Sequence, residues 1–305
     1  MSSKFQGVIV PLVTPRRIDG AIDTASLRNL TRHLLDGGVS GLFVLGSSSE
    51  VPYMTDAERT LVVSTVAEAN AGAVPLVVGA NEQTTNRVVE EARKVIDLGA
   101  DAIVVTSMYY TIGDLEETET HFRTIRTAVD KPIFAYDVPV RTHFKLPTEL
   151  LVRLGREGVI DGVKDSSGDD VAFRQLLIAA RDIPDFDVFT GHQLVVDGAL
   201  LGGAQGVVPG LGNVDPRGYR NLVDAAAAGN WARAAAIQDG LADLYDLVYT
   251  PRGRVSGGAA ALGAFKTALQ IMGVIESNTM STPMLALNEE EAGAIKAILQ
   301  RNSLV

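Results

Sequence analysis

The chain has no cysteine, which removes disulfides, thiolate catalysis and cysteine-ligated metals from consideration. Histidine is nearly as scarce: His33, His121, His143 and His192 are all there are among 305 residues, and no HxxH-type spacing offers a zinc site. Long apolar runs are missing as well. No window approaches a transmembrane span, and Met1-Ser2-Ser3-Lys4-Phe5 opens without the apolar stretch of a secretion signal. The expectation is a soluble cytoplasmic protein with no membrane partner. Runs of basic residues are absent too: 27 Lys and Arg stand against 37 Asp and Glu, a formal charge of -10, so nucleic acid is not an expected partner. In so acidic a chain an isolated pocket lysine or arginine is informative, because handling an anion requires a local cation.

What is present is an ordinary globular balance, 46% hydrophobic and 21% charged, on a length that can bury a catalytic group in one large core. Short apolar, β-branched runs at residues 7–13, 41–45, 75–79, 102–106, 132–137, 160–164, 186–190 and 206–208 read as strands. Amphipathic stretches lie between them at 24–35, 55–70, 84–98, 115–129, 147–154, 169–181 and 194–201. Four times a helical segment ends in glycine just before a strand, at Gly38, Gly99, Gly158 and Gly203; glycine there supplies a left-handed cap. Eight strands with interleaved helices predict a parallel (β/α)8 TIM barrel, an α/β fold. The alternative, an open Rossmann-like sheet, lacks its GxGxxG after the first strand. Beyond Val208 the pattern is helical only, at 216–228, 231–248, 255–272 and 288–301. The expected organisation is a catalytic barrel over residues 1–229 and a C-terminal helical bundle over 230–305 packed on it.

In such a barrel the chemistry sits at the C-terminal ends of the strands. Lys164 closes the run Val159-Ile160-Asp161-Gly162-Val163-Lys164. An ammonium among such neighbours is costly unless paired or neutralised, and desolvation frees the amine as a nucleophile toward carbonyl carbon. The plain alternative is a lysine that snorkels outward or pairs with Asp165. Tyr136 ends the preceding strand, where a phenol can pass protons to a carbinolamine or simply plug the barrel with its hydroxyl satisfied. Ser47 and Ser48 follow a strand end and a glycine; they suit a carboxylate and a proton relay, or a turn and helix cap. Arg141 offers a bidentate grip on a carboxylate, or a solvated surface charge.

Together these motifs resemble the dihydrodipicolinate synthase / N-acetylneuraminate lyase family of pyruvate-dependent class I aldolases, over essentially the whole chain. The resemblance rests on the order Pro11-Leu-Val-Thr14-Pro15, Gly46-Ser47-Ser48-Ser49-Glu50, Tyr109-Tyr110, Tyr136-Asp137-Val138-Pro139-Val140-Arg141-Thr142 and Gly162-Val163-Lys164-Asp165. It implies a TIM barrel with a C-terminal helical bundle, in a homotetramer built as a dimer of dimers. It also implies that Lys164 is the Schiff-base lysine and Tyr136 the general acid/base, with Ser47 and Ser48 standing where the family usually carries two threonines. Tyr110 matches a tyrosine that reaches into the neighbouring subunit's site, and Arg141 matches the arginine that receives the aldehyde's carboxylate. Gly191 and Val208 match positions lining the pyruvate pocket. The departures are Ser-Ser-Ser49 for Thr-Thr-Gly, Asp137 for the usual Asn, His143 for Gly, and His192-Gln193 for acidic residues. All touch the region that selects the second substrate, and Lys164-Asp-Ser-Ser-Gly168 looks more like relatives that cleave 2-keto-3-deoxy sugar acids.

The reading that follows is a lyase making or breaking a C–C bond next to bound pyruvate or a related 2-oxo acid. The imine is the electron sink, so no metal or organic cofactor is needed. The leading subtype is a dihydrodipicolinate-synthase-like condensation of pyruvate with aspartate semialdehyde; the runner-up is a 2-keto-3-deoxy sugar acid aldolase or dehydratase. Residues placed at the substrate are Ser47, Ser48, Arg141, Gly191, Val208 and His192. A rival of another class is a catalytically silent small-anion sensor, which needs Arg141 and the serines but not Lys164 beside Tyr136.

Overall fold

A computed structural model of the chain describes residues 5–305. Its strands are β1 (Gly7–Pro11), β2 (Gly41–Val44), β3 (Leu76–Gly79), β4 (Ala102–Thr106), β5 (Ile133–Asp137), β6 (Gly162–Asp165), β7 (Asp187–Thr190) and β8 (Gly206–Val207). They close into one barrel in sequence order, every neighbouring pair parallel. Closure is direct: β1 pairs with β8 through Gly7↔Gly206 and Val8↔Val207, which excludes the open sheet. The four glycines expected to cap helices all adopt the left-handed backbone, Gly38 at φ 79, Gly99 at 102, Gly158 at 67 and Gly203 at 101.

Strand parity sorts side chains onto two faces. Leu42, Val44, Ile133, Ala135, Val163 and Val188 face outward and join the large core shared with the helices. Phe43, Phe134, Tyr136 and Phe189 face inward with Ile9, Val77 and Val208. Phe134 meets Phe5 and Phe189 edge-on, at centroid distances of 5.2 and 5.8 Å, a geometry that adds about 0.5–1.5 kcal/mol per pair beyond burial. These rings close the barrel below the C-terminal ends of its strands. The sheet therefore has an apolar floor and a polar mouth.

The covering helices are α1 (Thr24–Asp36), α2 (Asp56–Asn70), α3 (Thr85–Asp97), α4 (Leu115–Ala128), the single turn α5 (Pro139–Thr142), α6 (Thr148–Arg156), α7 (Asp170–Ala180), α8 (Val196–Leu201) and α9 (Pro216–Ala227). The chain continues as α10 (Trp231–Tyr245), which packs on α9, and α11 (Gly257–Ile271), against which α12 (Glu289–Arg301) lies. Capping boxes start α2 (Thr55 with Glu58), α4 (Asp114 with Glu117) and α12 (Asn288 with Glu291), each satisfying two amides that a helix start leaves free. None of the described helices is long and apolar enough to cross a membrane.

Three of the departures from the sequence pattern have a clear local cause. The first strand stops at Pro11, because the amide of Val13 turns from the ladder to the Asn213 side chain, which donates back to the Pro11 carbonyl at 2.9 Å. The helix expected to run to Val248 ends at Tyr245 and tightens into a 3-10 turn at Asp246–Tyr249. The segment after Tyr136 forms the unforeseen α5, with Pro139 in the first turn, where its missing amide costs nothing.

Candidate active site

Tyr136 on β5 and Lys164 on β6 are direct register partners, so both project into the barrel at the same height. The Lys164 ammonium lies 4.0 Å from the Tyr136 ring centre and 4.7 Å from that of Phe43. Both residues are buried, 6% and 4% exposed. Beneath them is an apolar void of about 20 Å³, lined by Ile9, Phe43, Val104, Phe189 and Val208 among others. Among the described residues no carboxylate lies within ion-pairing distance of Lys164. Burial pushes its amine below the ordinary lysine range, and the charge and hydrogen bond of Tyr136 offset this only in part. Burial acts on Tyr136 in the opposite sense, toward a higher pKa. The Lys164 cation and hydrogen bonds with Ser47, Ser166 and Lys164 outweigh it and hold the phenol below its usual value. An amine pushed down and a phenol pulled down, in contact, form a pair that can exchange a proton at little cost.

Asp165 does not neutralise Lys164. Consecutive strand residues point to opposite faces, so Asp165 and Asp137 face outward side by side, Asp137↔Asp165 being the next register pair. Lys145 bridges them, ion-paired to Asp137 and 3.5 Å from Asp165. Asp137 is wholly buried; burial raises its pKa, the Lys145 bond opposes this, and Asp165 reinforces it. Behind Lys164 and Tyr136, then, the ends of β5 and β6 are clamped by one cation between two carboxylates.

The serine loop is a 3-10 turn, Ser47–Ser49, at the end of β2. Ser49 donates to the Leu12 carbonyl at 2.8 Å, which fixes the turn against β1 and leaves Ser47 facing Tyr136. From there a cleft of about 280 Å³ opens over the mouth, lined by Ser47, Asn81, Thr106, Tyr109, Tyr136 and Arg141 from the barrel and by Ser256, Gly258, Leu262 and Met284 from the C-terminal part. Asn81 ties the neighbouring strand ends together, accepting from the Thr106 amide at 3.2 Å and donating to the Leu45 carbonyl at 3.4 Å.

The chain has known relatives. Residues 4–302 match the Dihydrodipicolinate synthetase family. The chain is 29% identical to the 4-hydroxy-tetrahydrodipicolinate synthase of Thermotoga neapolitana over 303 residues, covering 99% of this chain and 100% of that protein. The structure of dihydrodipicolinate synthase from Bacteroides thetaiotaomicron superposes with a TM-score of 0.92 at 28% identity, covering 99% of this chain and 100% of that one. YagE, a prophage protein of E. coli K12 belonging to the dihydrodipicolinic acid synthase family and solved in complex with pyruvate, superposes equally well, TM-score 0.92 at 26% identity with 99% of both chains covered. The chain belongs to the dihydrodipicolinate synthetase family.

On this dihydrodipicolinate synthetase scaffold the residues singled out from sequence are dispersed unevenly. Lys164, Tyr136 and Ser47 converge at the mouth, and Val208 lines the apolar floor beside Lys164. Ser48 is half-buried in the same turn as Ser47 but does not line the cleft. Arg141 lies at the rim on α5, its guanidinium 3.1 Å from where a Cβ on Gly258 would stand. Among the described residues no carboxylate pairs with it. His192 turns away from the cleft: its Nδ1 lies 3.0 Å from the Asp170 carboxylate at the start of α7. Gly191 serves close approach, since a Cβ there would stand 1.9 Å from the Ser166 hydroxyl. Tyr110 is 93% exposed, at φ 72, and does not line the cleft.

Several residues in or beside the cleft carried no signal as ligands. Thr106 and Asn81 were visible only as strand-end polar groups. Ser166 reads as a turn serine, and Ser256 is the N-cap of α11, donating nothing in sequence to suggest a cleft. Leu262 and Met284 are apolar residues far along the chain from any strand end.

Proposed function

We propose that the protein is a Schiff-base-forming lyase in which Lys164 attacks the ketone carbon of pyruvate or a close 2-oxo acid. The observation that carries this is the buried, carboxylate-free Lys164 amine in register with Tyr136. The amine adds to the carbonyl, and the proton it sheds passes by way of Tyr136 to the alkoxide to give a carbinolamine. A second proton, from the Tyr136 phenol, lets the hydroxyl leave as water, forming the protonated imine. Loss of a proton from the adjacent carbon gives an enamine whose carbon attacks an aldehyde. Hydrolysis returns the amine and the product, and retro-aldol cleavage runs the same steps backwards. Ser47 holds the phenol of Tyr136 while the proton moves.

The favoured reaction is condensation of pyruvate with aspartate semialdehyde, forming 4-hydroxy-tetrahydrodipicolinate, with the unpaired Arg141 receiving the aldehyde's carboxylate. Its membership of a family with synthases of that name supports this choice. A second reading, cleavage of 2-keto-3-deoxy sugar acids, is favoured by the hydroxyl-rich lining of Ser47, Thr106, Tyr109, Thr142 and Ser256. We also propose a homotetramer assembled as a pair of dimers, in which the exposed Tyr110 enters a neighbouring subunit's site.

The test is borohydride reduction with pyruvate followed by mass spectrometry. One covalent adduct on Lys164, lost in Lys164→Ala, is expected. In Tyr136→Phe the adduct should persist while turnover falls by roughly two to four orders of magnitude, the scale of lost acid–base help. A protein that binds pyruvate without an adduct is an anion sensor, and the lyase reading is then wrong.

A further inference from the structure

Ser47 is not the only hydroxyl on Tyr136. Lys164 faces inward and Asp165 outward, so strand parity returns Ser166 to the interior at the top of β6. Its amide donates to the Asp137 carbonyl at 2.8 Å, which carries the pairing of β5 and β6 one residue past Asp165. Its side chain lies over Gly191 so closely that a Cβ at 191 would stand 1.9 Å from the Ser166 Oγ and 3.0 Å from its Cβ. Gly191 is itself fixed, its amide donating to the Asp165 carbonyl at 2.6 Å. A side chain so confined has few rotamers open to it, and the one it takes hydrogen-bonds the Tyr136 hydroxyl.

We propose that Ser166 is the positioning residue for Tyr136, and that Gly191 is glycine in order to seat the Ser166 hydroxyl rather than to touch substrate. Two hydroxyls, Ser47 in the turn after β2 and Ser166 just past β6, fix the direction of the phenol's lone pair and proton relative to Lys164. Ser166 reaches the chemistry through Tyr136 alone. The assignment rests on the Schiff-base reading above and extends it to a residue with no role there.

The experiment uses the intact protein and pyruvate only, so it is independent of which aldehyde is the second substrate. Exchange of the pyruvate methyl protons in deuterated water, followed by NMR, reads the imine–enamine step, and borohydride trapping reads the adduct. In Ser166→Ala the Lys164 adduct should form while exchange slows about tenfold, the rate equivalent of one modest hydrogen bond. The rate limb governed by Tyr136 should move to higher pH, because a lost donor to the phenolate disfavours the ionised form. Gly191→Ala should slow exchange similarly, and Ser166→Ala/Gly191→Ala should be no slower than either single variant. Wild-type exchange with an unmoved pH profile in Ser166→Ala overturns the assignment. So does a loss that leaves the profile in place and adds to that of Gly191→Ala, since this describes packing alone. If the unaltered protein takes up no adduct, the Schiff-base reading falls and takes this assignment with it. An adduct on Lys164 with an unmoved Ser166→Ala profile sinks this assignment alone.

Discussion

Lys266, wholly buried in α11, is ion-paired to Glu50, the residue that ends the Ser47–Ser49 turn. The pair joins the C-terminal helical part to the loop that carries Ser47. Each partner makes one further hydrogen bond: Lys266 donates to the Thr279 carbonyl at 2.9 Å, and the Ser281 amide donates to Glu50 at 2.8 Å. Removing one charge strands the other in the core, which typically costs 3–5 kcal/mol. Lys266→Met should therefore lower the unfolding free energy by about that amount. Glu50→Gln/Lys266→Met should recover part of the loss, because neither charge is then left alone. Denaturant titrations of Glu50→Gln, Lys266→Met and the double variant form the cycle, and strictly additive losses would mean that the contact is not an energetic unit.

A second group sets a pH dependence. His121 is buried in α4, with Nδ1 2.9 Å from the Thr85 hydroxyl and Nε2 3.2 Å from the Thr106 carbonyl. Burial pushes its pKa down from 6.5 to about 4, against a smaller upward pull from the Thr106 carbonyl. As pH falls from 6.5 toward 4, the unfolded chain binds a proton that the native state refuses. Stability is thus lost on acidification across that window, by about 3 kcal/mol for a shift of this size, and unaffected above it. His121→Gln keeps a donor for the Thr106 carbonyl without titrating. The stability gap between the two proteins should close or reverse between neutral pH and pH 4 in urea denaturation. A gap that is constant with pH would show that His121 is protonated in the native state.

The barrel and the placement of Lys164 beside Tyr136 were legible for the same reason: both are written in the alternation of short segments. Eight apolar runs, each separated by an amphipathic stretch, leave little choice of sheet, and a lysine or tyrosine at the end of such a run has to lie at the mouth. Parity also settles Asp165, which the linear sequence offers as the partner of Lys164 but which β6 turns toward Lys145. Contacts that depend on close approach were not legible. The confinement of Ser166 by Gly191 is set by the β6–β7 separation, and a serine after a strand looks like any turn serine. His192 follows Gly191 at a strand end, yet a local pairing with Asp170 draws it out of the cleft. The C-terminal wall of the cleft comes from residues such as Leu262 that differ in no visible way from core positions. The pattern records which face a residue takes, not which distant segment is folded over it.

Tyr110 bears on assembly. A tyrosine 93% exposed, two residues from Ile112 at 56%, leaves apolar surface in water beside the mouth, and such surface is commonly covered by a partner. The expected state is a tetramer in sedimentation. Tyr110→Ala should weaken its assembly and slow pyruvate methyl exchange together. Full activity from a monomer at assay concentration would remove Tyr110 from the mechanism.

The choice of second substrate turns on Arg141. It stands on α5, whose first-turn Pro139 fixes the direction in which the chain leaves Tyr136. Its guanidinium is directed at Gly258 in the first turn of α11, where any larger side chain would crowd it. No described carboxylate neutralises it, so its charge is available to a ligand in the cleft it lines with Tyr136. A bidentate ion pair with an incoming carboxylate is worth roughly 2–3 kcal/mol, or about 30- to 150-fold in affinity. Arg141→Ala should raise KM for a carboxylate-bearing aldehyde by that factor while the pyruvate adduct on Lys164 forms as before. The measurement is a kinetic panel in both directions, aspartate semialdehyde with pyruvate against cleavage of 2-keto-3-deoxy sugar acids. Loss of the pyruvate adduct in the variant would place Arg141 at the first substrate instead. If the unaltered protein cleaves the sugar acids and leaves the semialdehyde untouched, the hydroxyl-rich wall of the cleft, and not Arg141, selects the substrate.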